Sequence, residues 1–224
     1  MRKAFHDQIN EISNDIVLMS NLAQSAVHKA VSALIDSNPS LAQEVIDEDY
    51  KIDDYEISTE EKCVVLQAEY QPVAIDLRYL HSISNIIIHL ERIGDLSVNI
   101  AKITKSLSKL NIQYLDEDIK KLLLEMLNLV KSTLTKSILA FQKSDIKLAS
   151  SIDKIDDAVD DIQKKIIQKL YSSTFNKKEN IKIIADIYLV ARYLERIGDH
   201  SVSIGERVQY YLTGDYKVFH SDTQ

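Results

Sequence analysis

The sequence predicts an all-α fold built as two tandem three-helix bundles. Turn residues are scarce, with 4 Gly and 2 Pro in 224 residues, which leaves room for only a few connections between long helices. Apolar residues recur at steps of three and four, the spacing of one buried helix face. A phrase also returns: LERIGDLSVNI at 90–100 comes back as LERIGDHSVSI at 194–204, identical at nine of eleven positions.

The elements follow in order. A first helix spans about Ala4 to Asp36. Asn38-Pro39 opens a second, because Asn accepts from free amides and Pro loses no bond at the first helical position. That helix runs to about Tyr70, where Gln71-Pro72 breaks it and opens a third, ending near Leu110. Residues 111–117 connect the halves. A fourth helix covers about Asp118 to Gln142, and a fifth starts after Ser144-Asp145. Residues 172–180 form a polar loop. A sixth helix runs to Leu212, with Gly214 as its C-terminal stop. The first repeat is then 1–112, the second 113–214, and 215–224 a loose tail.

The halves align internally. Glu91 and Glu195 are 104 residues apart. Ser37 to Ala42 resembles Ser144 to Ala149, and Asp49 to Asp53 resembles Asp156 to Asp160, both at an offset of 107. The three-residue difference falls in the loop between the second and third helices, where length changes are tolerated. Buried stripes are expected at Ile86, Leu90, Ile93, Ile100 and Leu107 in the third helix, with Ser97 and Thr104 filling gaps. The fifth helix offers Ile152, Ile155, Val159, Ile162 and Ile166.

The net charge is −7 and the pI about 5.4, which excludes a general nucleic-acid binder, since phosphate contacts need a basic surface. The single cysteine, Cys63, cannot form an internal disulfide, and its place on an apolar stripe marks it as a small core residue. MRKAFHDQIN lacks the apolar core of a signal peptide. No run approaches the ~20 apolar residues that span a bilayer. A cytoplasmic location is expected, with membrane contact only through partners.

Four acidic pairs stand at i and i+4. They are Asp49 with Asp53, Glu91 with Asp95, Asp156 with Asp160, and Glu195 with Asp199. Each places two like charges on one helix face, ~5–6 Å apart at Cβ, where they repel. Each half owns two such pairs on adjacent helices. Four converging carboxylates stabilise a bundle poorly but suit hard or borderline cations. Taken singly, an acidic pair is the ordinary sign of a solvated face, and Asp153, Asp157 and Asp161 offer other registers in the fifth helix. Recurrence of both pairs with their neighbours favours metal binding. Gly94 and Gly198 recur beside the acids, although Gly inside a helix costs ~1 kcal/mol. Close helix packing and close approach of a ligand both account for that. Arg92 and Arg196 would screen the acids, dock a partner or form surface ion pairs.

A ferritin-like oxidase would carry Glu-x-x-His, but the third residue after Glu91 and after Glu195 is Gly. His89 and His200 point away from the acids, and His6, His28, His81 and His220 lack ligand spacing. No nucleophile, base or phosphate-loop pattern appears. An adaptor is expected, not an enzyme, with no catalytic residues.

The twin LERIGD phrases, the Asp-x-x-x-Asp before each of them, and Gln71-Pro72-Val73-Ala74-Ile75-Asp76-Leu77-Arg78 together resemble the PhoU family, over nearly the whole chain. The resemblance implies a cytosolic negative regulator of phosphate uptake and phosphate-responsive genes. Such a regulator links the ATPase subunit of the phosphate ABC transporter to a phosphate sensor histidine kinase. It also implies a homodimer and metal ions, either iron or zinc clusters or magnesium or manganese. By position, the ligands would be Asp49, Asp53, Glu91 and Asp95 in one half, and Asp156, Asp160, Glu195 and Asp199 in the other. Two alternatives stay open: a helical accessory protein of a phosphate permease, and a carboxylate metal-binding bundle acting as a metal store or metalloenzyme.

Overall fold

The computed structural model describes residues 2–110, 115–173 and 180–215, and within them leaves out the side chains of residues 2, 153–156, 173 and 180. The described chain forms eight helices and no strand. They are α1 (Arg2–Ile35), α2 (Pro39–Glu48), α3 (Tyr50–Tyr70), α4 (Ile75–Ser108), α5 (Glu117–Lys143), α6 (Ile146–Ala149), α7 (Asp153–Ser173) and α8 (Asn180–Thr213). The first repeat packs α1, α2 and α3 around α4, and the second packs α5, α6 and α7 around α8. The most extensive helix pair is α4 with α8, which joins the repeats. The expected two-repeat all-α architecture is therefore present.

Two expected helices are each broken in two. The second stops at Glu48 and resumes at Tyr50. Asp49 keeps helical dihedrals, yet Ile52 N donates to Asp49 O at 2.8 Å, a three-residue reach that tightens the turn. Asp53 N still donates to the same oxygen at 3.3 Å, so Asp49 and Asp53 remain one turn apart. The expected fifth helix becomes the short α6 and then α7. At the break, the Ser150 and Ser151 hydroxyls donate back to Ile146 O and Leu148 O at 2.9 and 2.7 Å, competing with helix continuation. A third adjustment concerns Gln71-Pro72, which ends α3 but does not open α4. Gln71 is left-handed (φ 47°), Ala74 also has positive φ, and α4 begins at Ile75.

The repeat extends to its turns. Ser37 and Ser144 are both left-handed, with φ of 52° and 49°. Asn38 then accepts from Ser40 N and Leu41 N, and Asp145 from Lys147 N and Leu148 N, the same cap at an offset of 107. The α4 stripe Ile86, Leu90, Ile93, Ser97, Ile100, Thr104 and Leu107 is completely buried. Its two hydroxyls are satisfied inside the helix, Ser97 Oγ by Ile93 O and Thr104 Oγ1 by Ile100 O. Ile152, Val159, Ile162 and Ile166 are buried too, although Ile152 lies in the break before α7. Cys63 is buried, and burial pushes its thiol up to about 11, as fits a core residue.

Between the repeats, Tyr79 of α4 stacks on Phe141 of α5 at 5.7 Å and meets Tyr211 of α8 edge-on at 5.0 Å. Among the described residues, no helix is long and apolar enough to cross a membrane. Most of the expected 111–117 connector, most of the 172–180 loop and all of the tail beyond Asp215 lie outside the described residues.

Candidate metal-binding carboxylate patches

The doubled phrase lies at the seam between the repeats. Helix α4 runs antiparallel to α8, as three contacts fix: Arg78 Nε donates to Tyr211 O, His89 Nδ1 stands 3.2 Å from His200 Nδ1, and Lys182 Nζ donates to Ser106 Oγ. Counting in opposite directions from the histidine pair sets Leu90–Asp95 opposite Leu194–Asp199. LERIGD therefore faces LERIGD across a local two-fold relation between the halves. Ile93 and Ile197 are completely buried there, while Glu91 is felt by Glu56 of α3 and Glu195 by Asp160 of α7.

In the first repeat, Asp49 stands at the break just before α3, Asp53 lies in α3, and Glu91 and Asp95 lie in α4. The space that a Cβ on Gly94 would take is occupied by Asp49 and Ile52, so a bare glycine lets α3 approach α4 at the acids. Asp49, Asp53 and Glu91 each feel the charge of Asp95. Burial and then repulsion from Asp53 and Asp95 push Asp49 up to about 6. Burial and Asp95 raise Asp53. Burial and Asp95 hold Glu91 well above the usual carboxylate range. Glu56 joins them, raised by burial and by Glu60 and Asp53. Glu56 stands one turn after Asp53 in α3, outside the four acids that the i,i+4 pairing singles out.

Arg92 is the counter-charge in this patch. Its Nη1 lies 3.0 Å from Asp95 Oδ2 and its Nε 3.4 Å from Glu91 Oε2. The second contact lacks hydrogen-bond geometry, so buried Glu91 Oε2 has no hydrogen-bond partner in the protein.

The second repeat is built alike, with a different arginine. Glu195 is buried, its other oxygen Oε2 also lacks a partner, and Oε1 pairs with Arg192, one turn earlier in α8. Arg192 and Glu195 stand three residues apart, the spacing of a helical ion pair. Burial, Asp199 and Asp160 raise Glu195, and burial and Asp160 raise Asp199. The Asp156 side chain lies outside those described.

Hard-cation chemistry fits this donor set. Each repeat gathers carboxylates that repel one another, each keeps a buried glutamate oxygen that accepts no hydrogen bond, and no thiol lies among them. Among the described residues, no three His, Cys, Asp or Glu side chains form a group that would hold a metal in this geometry. In the first patch, an arginine bridges Glu91 and Asp95.

The His89–His200 contact was not anticipated, because it depends on how the two repeats dock. Burial, His200 and Arg207 push His89 down to about 4, and burial also lowers His200.

Comparison with known proteins decides the family. The PhoU domain model matches residues 16–104 and 123–208, one copy in each repeat. The chain belongs to the PhoU family. It is 32% identical over 214 residues to the phosphate-specific transport system accessory protein PhoU homolog of Clostridium acetobutylicum, covering 95% of this chain and 96% of that one. It is 31% identical to a PhoU homolog of the same description from Thermotoga maritima, covering 94% and 89%. Among solved structures, PhoU from Pseudomonas aeruginosa superposes with a TM-score of 0.88 at 31% identity, covering 94% of this chain and 100% of that one. The phosphate transport system regulatory protein PhoU from Streptococcus pneumoniae gives 0.84 at 26% identity, covering 95% and 98%. Glu91 with Asp95 and Glu195 with Asp199 stand at equivalent sequence positions of the two PhoU repeats.

Proposed function

We propose that this chain is a cytoplasmic, metal-binding negative regulator of phosphate uptake and phosphate-responsive gene expression. It acts as an adaptor between the ATPase subunit of a phosphate ABC transporter and a phosphate sensor histidine kinase. Full-length relatives named as accessory proteins of the phosphate-specific transport system support the process. The observation that supports the metal reading is the duplicated carboxylate patch, with a buried oxygen that accepts no hydrogen bond on Glu91 and on Glu195.

Asp49, Asp53, Glu91 and Asp95 would hold metal in the first repeat, and Asp156, Asp160, Glu195 and Asp199 in the second. The ion would supply the positive charge that these acids lack. Its binding would displace Arg92 from Glu91 and Asp95, and would relieve the repulsion that now raises their proton affinity. Metal occupancy would thus be coupled to which charges the seam presents to a partner.

The test of the regulatory reading is deletion of the gene. Phosphate-starvation genes should then be expressed in phosphate-rich medium, and the intact gene should silence them again. Continued silence in the deletion strain contradicts the reading.

A further inference from the structure

Helix α3 turns two unlike faces in opposite directions. Ile52, Thr59, Cys63 and Leu66 are buried against the bundle. Opposite them, at alternating steps of four and three, run Tyr50, Asp54, Ile57, Glu61 and Val64, a spacing that keeps them on one line of the helix. Tyr50, Ile57 and Val64 are 57%, 64% and 59% exposed. Asp54 and Glu61, which alternate with them, are also exposed and join no ion pair among the described residues.

The second repeat shows that folding does not require this line. At the offset of 107, Val159, Ile166 and Leu170 take the places of Ile52, Thr59 and Cys63, and all three are buried. The outward line there is Asp157, Asp161, Lys164 and Gln168, with only Tyr171 keeping a ring. The same inner face is built twice, but only the first copy turns an aliphatic line to water. Ile57, Val64 and the adjoining Val65 thus leave apolar surface in water on the first copy that the outward line of the second lacks.

We propose that the outward line of α3 is a docking face for a basic amphipathic helix of another protein, with apolar residues seven apart and Lys or Arg between them. A helix laid along α3 would set its apolar side chains over Tyr50, Ile57 and Val64, as in the seam of a coiled coil. Its cations would meet Asp54 and Glu61. A cleft of about 440 Å³ between α1 and α3, lined by Glu11, Ser58, Glu61, Lys62 and Val65 among others, borders the line; Lys62 pairs with Glu11 and Asp15 there, which leaves Glu61 as the acid turned to the line. Charge excludes the other occupants. A second copy laid α3 on α3 would set these acids against their own kind, and an anionic lipid surface would be repelled. The proposal is independent of metal binding.

The probe is a synthetic helix of about three heptads with Leu at every seventh position and Lys beside it; a twin carries Glu in place of Lys. Binding to the whole chain is read by fluorescence anisotropy. Three double variants are compared with wild type: Ile57→Gln with Val64→Gln, Asp54→Asn with Glu61→Gln, and, on α7, Lys164→Ala with Tyr171→Ala. The basic helix should bind wild type and the α7 variant equally, and should bind each α3 variant at least about tenfold more weakly, as loss of a central contact does; the acidic twin should not bind. Absence of binding, equal binding to the α3 variants, or equal binding of the twin overturns the proposal. So does sedimentation in which Ile57→Gln with Val64→Gln converts a dimer to a monomer, because the face would then belong to a second copy.

Discussion

A Cβ placed on Gly94 would stand 3.1 Å from Asp49 Oδ1 and 3.0 Å from Ile52 Cδ1. Glycine at this point of α4 is therefore tied to the nearness of the first acid of the α3 pair. Gly94→Ala gains about 1 kcal/mol of helix propensity, and the shift of Ile52 and Asp49 offsets it. The expected outcome is metal-free stability within about 1 kcal/mol of wild type but a smaller metal-induced rise in melting temperature. A metal response equal to that of wild type would separate the glycine from the patch and leave helix packing as its role.

Arg92 and metal compete for the same oxygens in this account. Because Arg92 is about half exposed, Arg92→Ala should change metal-free stability by less than about 1 kcal/mol. Metal affinity should rise, measured by calorimetry on chelator-treated protein. Lower affinity in the variant would mean that the arginine supports the site.

The pH dependence has a defined sign. Burial and Asp95 raise Glu91 to about 7, from 4.5 in the unfolded chain. The folded state then binds more protons than the unfolded state between these values. Its contribution to stability is fully present below the unfolded pKa and is lost as pH rises toward 7. His89 acts oppositely below its unfolded value, since burial depresses it, so total stability mixes both. The difference between wild type and Glu91→Gln isolates the carboxyl. In chelator, urea unfolding should find the two similar near pH 5, with the variant gaining on wild type toward pH 8. A gap that does not change with pH contradicts this origin.

Much of the fold was legible because its signals are local. Caps at Asn38 and Asp145, the stripe from Ile86 to Leu107 and the internal repeat all follow from near-neighbour rules. The breaks at Asp49 and at Ser150-Ser151 were not, because the acidic and apolar spacing continues through both. Individual acids of the site could be named from their i,i+4 spacing and their recurrence. Three features could not: the opposition of LERIGD to LERIGD, the His89–His200 contact, and the role of Gly205, whose added Cβ would come 2.7 Å from Ile152 Cδ1. All three depend on how helices far apart in sequence dock, which side-chain periodicity within one helix does not encode.

The central claim is that Glu91 and Asp95 persist for binding a cation and not for folding. Glu91→Gln with Asp95→Asn removes their mutual repulsion and also the Arg92 ion pairs. Without metal and near pH 5, where Glu91 is protonated in the folded state, the variant should therefore unfold within a few tenths of a kcal/mol of wild type, and the comparison with metal is made against each protein's own metal-free value. A bound ion stabilises the folded state by RT ln(1 + [L]/Kd), about 2.7 kcal/mol per site at a hundredfold excess over Kd. The deciding measurement is thermal unfolding of both proteins in chelator and with added iron, zinc, manganese or magnesium. The account predicts a metal-induced rise for wild type and a smaller one for the variant, by the share of the first repeat. Equal rises in both proteins, or no rise in either, would make the first patch a solvated acidic face and contradict the claim.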